Sequence, residues 1–459
     1  MTFEPADSGP APLPDRVPLY GPAFAADPAS VYELLRRYGP VAPVELAPGI
    51  PATLVTSYEH ALEVLRDADT FPKDARRWQR SVPSDCPVLP LMQYRPTANL
   101  TDGAVHDRLR QAVSESLAQV DVEALRGHVE QSAELLIDRF GAKGAADLRT
   151  QYAQTLPLLV FNRLCGVPTA LGDRLVAGMS AMMDGGADAE NANRDLAQAV
   201  AELVALKRRE PGADVVSWLM AHPARLNDEE MAHQIVMLLG TVTEPEQNLI
   251  INTLRLLLAD DRFAGDLSGG SLAVQDALDE ILWSDPPIAN YGITYPVKDV
   301  DFAGVRLPAD QPVVVSYAAA NTDPSISMGD RTGNRAHLAF SAGDHTCAAK
   351  GQARLIASVA IEKLLDRLPD MRPAVPAEEL AWRTGWVHRA LVELPVVFPP
   401  SQPAMPAEPA VAVRDSRFIA APVPAGSAAP SGPPPGASAA GEPRPFWGPL
   451  ARRRRGGDS

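Results

Sequence analysis

The chain has 459 residues, 22% charged and 46% hydrophobic, with a formal net charge of −15, a globular composition with room for one large domain. So acidic a chain is a poor partner for nucleic acid phosphates, and its three cysteines, Cys86, Cys165 and Cys347, have no short spacing that would give a disulfide framework or a Cys-x-x-Cys knuckle. No stretch reaches the roughly 18 apolar residues of a membrane span and the start lacks a secretory pattern, so a cytoplasmic protein without a transmembrane segment is expected.

Residues 1–20 are Pro-rich and read as an arm lying loosely over the body, residues 21–400 as the folded domain. Residues 401–459 hold twelve prolines spaced by Ala, Gly and Ser, which leaves too little apolar surface to order a tail. That tail is basic on an acidic body and ends in the run Arg452 to Arg455; it reads as a solvated end or as a contact for an acidic partner or membrane. Helical spacing starts at 28–38 and stops at Gly39-Pro40. Residues 41–56 read as two extended runs about a Pro48-Gly49 turn, and 57–68 return to helix. Helices are predicted over about 104–118, 122–140, 147–164, 170–184, 190–208, 212–221, 227–259 and 271–283. Alternation over 287–318 predicts a small sheet, followed by a helix at 348–368 and extended segments near 381–398. The class is mainly α, with small β-sheets at the start and end.

The chemistry concentrates in residues 340–354, FSAGDHTCAAKGQAR. A thiol between a Gly-containing loop and a helix lies where unpaired N–H groups favour thiolate, a soft anionic ligand, although composition alone favours an inert buried cysteine. The segment resembles the haem-binding loop of cytochrome P450, matching at Phe340, Gly343, His345, Cys347 and Ala353-Arg354, with Ser341, Ala349 and Gln352 as departures. Further segments are similar in family order: His106 to Arg110 (HDRLR), whose two cationic-capable ends share one helix face, then Ala319 to Pro324 (AANTDP), then His337 to Phe340 (HLAF). The resemblance implies the mainly α cytochrome P450 fold and haem b (iron protoporphyrin IX), with Cys347 on the iron and His106, Arg110 and His345 toward the propionates.

Three departures stand out. In LGTVTEPEQNLI, the resemblance keeps the proton-relaying acid at Glu244 but puts Pro245 where the family has an alcohol. Proline lacks a hydroxyl and an N–H and is expected to kink the helix; Thr241 or Thr243 would then substitute, or would merely bond back to helix carbonyls. At Glu280 to Trp283 the family's Glu-x-x-Arg pair loses its arginine, which leaves Arg331 or Arg335 to meet Glu280. Thr294 stands where the family has a propionate-binding arginine, so haem retention would lean on His106, Arg110 and His345.

Residues 80–98, 288–293 and 382–387 would line the distal pocket by resemblance, with Tyr291, Trp382 and Trp386 either facing it or serving as ordinary core. The function implied is a haem-thiolate monooxygenase fed by ferredoxin and ferredoxin reductase, acting on a small organic substrate. The competing expectation is a catalytically weak haem-binding regulatory or scaffold protein. Resemblance to atypical actinobacterial members with tryptophan at this place implies GTPase-like and sensor-kinase-like partners.

Overall fold

The computed structural model describes residues 13–184, 189–260, 271–326 and 333–402; the tail expected at 401–459 lies outside them beyond residue 402, as do residues 1–12 and Arg331. The helices that carry the body are α1 (Pro28–Arg36), α2 (Tyr58–Arg66), α3 (Gly103–Leu117), α4 (Val122–Phe140), α5 (Leu156–Leu164), α6 (Thr169–Asp184), α7 (Ala189–Arg209), α8 (Asp228–Ala259), α9 (Ser271–Ser284) and α10 (Lys350–Arg367). Local chemistry places their starts. Asp27 accepts the Ser30 N–H ahead of α1 and Asp121 the Ala124 N–H ahead of α4. Asn227 and Glu230 cap each other's backbone at the head of α8. No described helix is long and apolar enough to cross a membrane.

The main sheet has five strands in the order β1 (Val17–Pro18), β2 (Val41–Ala47), β3 (Ile50–Val55), β8 (Val313–Ser316) and β5 (Asn290–Thr294). β2 and β3 form the antiparallel pair expected from the Pro48-Gly49 turn, β8 runs parallel to β3, and β5 returns antiparallel. The arm expected to be loose is partly built in. Val17 and Pro18 pair in parallel with Val44 and Glu45, and Leu19 is fully buried. A three-stranded sheet joins β4 (Ala145–Asp147) to β10 (Pro395–Val397) and β9 (Arg372–Pro373), while β6 (Val300–Phe302) and β7 (Val305–Leu307) make a hairpin.

The single helix expected over 147–164 is therefore a strand, a π-type turn at Arg149–Ala153, and α5. Asp147 causes the break. Its carboxylate accepts the N–H groups of Arg149, Thr150 and Leu394, so the chain turns there, and Pro157 sits in the first turn of α5, where a missing N–H costs no helix bond. The largest apolar cluster joins Leu136 and Phe140 of α4, Ile250 and Leu254 of α8, Leu278 and Ile281 of α9, and Ile361 and Leu364 of α10. A second cluster packs Leu19, Val44, Leu54 and Val314 of the sheet with Trp78 and Trp386. The Cys347 loop packs Phe340 against the first of these clusters and lies immediately ahead of α10.

Candidate functional site

The loop closes on itself: the Cys347 N–H donates to the Phe340 carbonyl at 2.9 Å, and the Thr346 N–H donates to Gly343 at 3.1 Å. Gly343 has φ +67°, and a Cβ there would stand 2.4 Å from the Leu65 carbonyl oxygen, so only glycine lets the loop dock on α2. Ser341 also takes a positive φ, 61°, without being glycine. Its side chain acts on the buried Tyr317 phenol, a polar neighbour that glycine would not supply.

Cys347 is half-buried, three residues ahead of the first residue of α10. Burial pushes its thiol above the ordinary range; the Ala349 N–H and Arg110 pull it back, and Glu246 pushes it further. Cys86 and Cys165 are buried core thiols, and burial raises that of Cys165 strongly.

His106, Arg110 and His345 converge beside the thiol. The two imidazoles stack with centroids 4.3 Å apart, and the Arg110 guanidinium donates to the Thr346 carbonyl. His345 Nε2 lies 3.4 Å from Asp102 Oδ1. Burial pushes the His345 pKa down, with Asp102 pulling the other way. His106 is 3% exposed and its Nε2 has no hydrogen-bond partner. A buried ring nitrogen without a partner, a guanidinium and a half-buried thiol within one loop cradle fit haem, with propionate oxygens at the cationic end and iron at the sulfur.

Of the distal residues, Glu244 forms an ion pair with Arg383 and lies 3.5 Å from the Asn248 amide nitrogen. The Thr241 hydroxyl donates to Met237 at 2.8 Å and that of Thr243 to Gly240 at 3.4 Å, so both bond back to the helix. Helix α8 is continuous across Pro245, which deletes one rung without ending it. Two residues gave no warning in the motif comparison. Arg383 comes from a distant loop. Glu246 stands where the family motif carries a second alcohol; it is 4% exposed, its Oε1 has no hydrogen-bond partner, and burial raises its carboxyl pKa far above the usual range.

The lost arginine is replaced by an indole. Trp283 is 4% exposed, donates its Nε1–H to the Asn334 carbonyl at 2.6 Å and meets His337 edge-on at 5.8 Å. It thereby ties α9 to the segment that leads into the Cys347 loop. Arg335 reaches Asp279 at 3.6 Å rather than Glu280, and Asp279 is held mainly by Arg354, which also donates to Gln275 at 3.0 Å. Asn321 of the AANTDP segment adds a second tie, donating to the Leu282 carbonyl and accepting the Leu338 N–H at 2.7 Å.

Thr294, in the missing arginine's place, is fully buried and spends its hydroxyl on the Val313 carbonyl. Trp382, expected as distal lining or core, lies under the Arg389 guanidinium at 3.3 Å and near Arg255 at 5.4 Å, a cation–π stack. Trp386 belongs to the sheet core. Tyr291 is half-buried against that same core, near Arg95.

No protein-family model matches the chain. It is similar to cytochrome P450 107B1 of Saccharopolyspora erythraea, 31% identical over 389 residues that cover 82% of this chain and 96% of that one. It is also similar to the cytochrome P450 monooxygenase PikC of Streptomyces venezuelae, 30% identical over 82% of this chain and 92% of PikC. Among solved structures, CYP154A1 of Streptomyces coelicolor superposes with a TM-score of 0.75 at 28% identity, covering 83% of this chain and all of that one.

Proposed function

The chain belongs to the bacterial cytochrome P450 family, the haem-b monooxygenases, and from that premise we propose that it takes electrons from a ferredoxin and its reductase and inserts one oxygen atom of O2 into a small organic substrate. The observation that carries the reading is the convergence of His106, Arg110 and His345 on the Cys347 loop. Haem b, held there through the Cys347 thiolate, would supply the chemistry of O–O cleavage. Cys347 is its ligand, and the Ala349 N–H and Arg110 stabilise the charge on sulfur. His106, Arg110 and His345 would bind and orient the propionate edge. Glu244 is the acid on α8 that the resemblance assigns to proton relay, and in this conformation its carboxylate is paired with Arg383. Thr241 and Thr243 have committed their hydroxyls to the helix, which argues against either as the substitute donor.

The reduced carbon monoxide complex of the purified protein tests this reading. The shifted band of thiolate ligation is expected in the parent and absent in Cys347→Ala, while Cys86→Ala and Cys165→Ala retain it. A thiolate spectrum that survives the loss of Cys347 contradicts the site. NADH-driven oxygen consumption with ferredoxin, coupled to product, tests the activity. Product formation favours a working monooxygenase over the regulatory or scaffold role, and the named relatives lend no support to GTPase-like or sensor-kinase-like partners.

A further inference from the structure

The family's strand arginine is missing at Thr294, yet the backbone brings a segment that carries another cationic residue alongside it. The Tyr295 N–H donates to the Pro72 carbonyl at 2.7 Å, which docks the 72–73 segment directly beside Thr294. The next residue, Lys73, is 7% exposed, and its N–H donates to Asp102 Oδ2 at 2.6 Å. Asp102 Oδ1 in turn faces His345 Nε2, so one carboxylate spans the lysine backbone and the imidazole of the cradle. We propose that Lys73 is a haem-propionate ligand of this chain, standing in for the arginine that Thr294 displaced.

The charge balance of the cradle supports the assignment. Two propionates bring two negative charges, Asp102 adds a third, and Arg110 is the one arginine in the set. His345 already turns its Nε2 toward Asp102 Oδ1 at 3.4 Å. Burial pushes the Lys73 ammonium down to about 8, with Asp102 opposing, and its charge acts on His345. A lysine desolvated to that extent gains most from a carboxylate arriving beside it.

This inference rests on haem occupying the Cys347 cradle, and the two ideas fail in different measurements. Transfer of haem from the ferric holoprotein to excess apomyoglobin gives the off-rate. Lys73→Met is expected to lose haem b about tenfold faster than the parent, and Lys73→Arg to stay within about twofold of it. The decisive arm repeats the comparison after reconstitution with haem dimethyl ester, whose propionates carry no charge. There the parent and Lys73→Met should agree within about twofold. A difference of the same size with both cofactors, or none with haem b, overturns the assignment, because a merely structural lysine does not sense the ester. Lys73→Gln carries the same comparison if the methionine variant does not fold. A parent that takes up no haem, or lacks the thiolate spectrum, defeats the haem reading instead.

Discussion

At Glu246 a single side chain sets two preferences against each other. Its carboxyl is buried among packed helices beside the Ala357 backbone and within electrostatic reach of Cys347. Ionising it there would place an uncompensated charge in an apolar core and oppose the charge that Cys347 would carry as the proposed haem ligand. Burial raises its pKa, and the consequence for stability has a definite sign. Below the ordinary carboxylate range the folded and unfolded chains are both protonated; above it the unfolded chain ionises first, so stability falls with rising pH until the folded group ionises too. Glu246→Gln should therefore melt like the parent near pH 4 and gain stability as pH rises, on the order of 1–3 kcal/mol by pH 8. Melting curves across that range check it, and a pH-independent difference contradicts it. Ser341 shows another residue-scale compromise. Its positive φ carries a penalty of about 1 kcal/mol relative to glycine, in exchange for a polar side chain beside the buried Tyr317 phenol.

At the scale of elements, α9 and α8 carry the departures from the family pattern. The indole of Trp283 combines an apolar body with one N–H donor, and the Asn334 carbonyl takes that donor. An arginine there would introduce a cation beside Arg335 and Arg354, both already turned to Asp279. Trp283→Arg should cost about 3 kcal/mol and lower haem occupancy, read by melting temperature and the haem-to-protein absorbance ratio. A variant better loaded than the parent contradicts this. In α8, Pro245 removes an alcohol, and the hydroxyls of Thr241 and Thr243 are engaged with helix carbonyls. The parent should accordingly release much of its NADH-derived electron flow as hydrogen peroxide. Pro245→Thr should raise product per NADH several-fold, whereas Thr241→Ala should leave it within about twofold. A tightly coupled parent indifferent to both changes removes this account.

At the scale of the molecule, the site depends on how α3, which carries His106 and Arg110, is braced against α8. Arg108 reaches from α3 to Glu230, the same residue that completes the capping box of α8. The Arg108 hydrogen bonds hold the Glu230 carboxyl below the ordinary carboxylate range. The stability it contributes is present above that range and is lost as pH falls through the lowered value. Glu230→Gln should melt lower than the parent at pH 7 and converge with it in strong acid. Parallel melting profiles at every pH would show that this brace contributes nothing.

The motif FSAGDHTCAAKGQAR and the HDRLR helix were legible because their chemistry is local: a loop that must turn at Gly343, a thiol ahead of a helix, and two side chains one helical turn apart. Helix and strand periods placed most elements for the same reason, and failed at 147–164, where Asp147 bonds a residue almost 250 positions away. Proximity between distant segments has no expression in spacing. Whether Glu280 or its neighbour Asp279 takes Arg335 turns on the rotation of α9 against α10; which cation reaches Glu244 depends on where the 383 loop folds back; and the arrival of Lys73 beside Thr294 depends on a strand edge bonding to Pro72. The sequence by itself determined which residues could do haem-thiolate chemistry. The tertiary structure alone decided which charges face one another, because Coulomb and hydrogen-bond energies depend on separation in space and not along the chain.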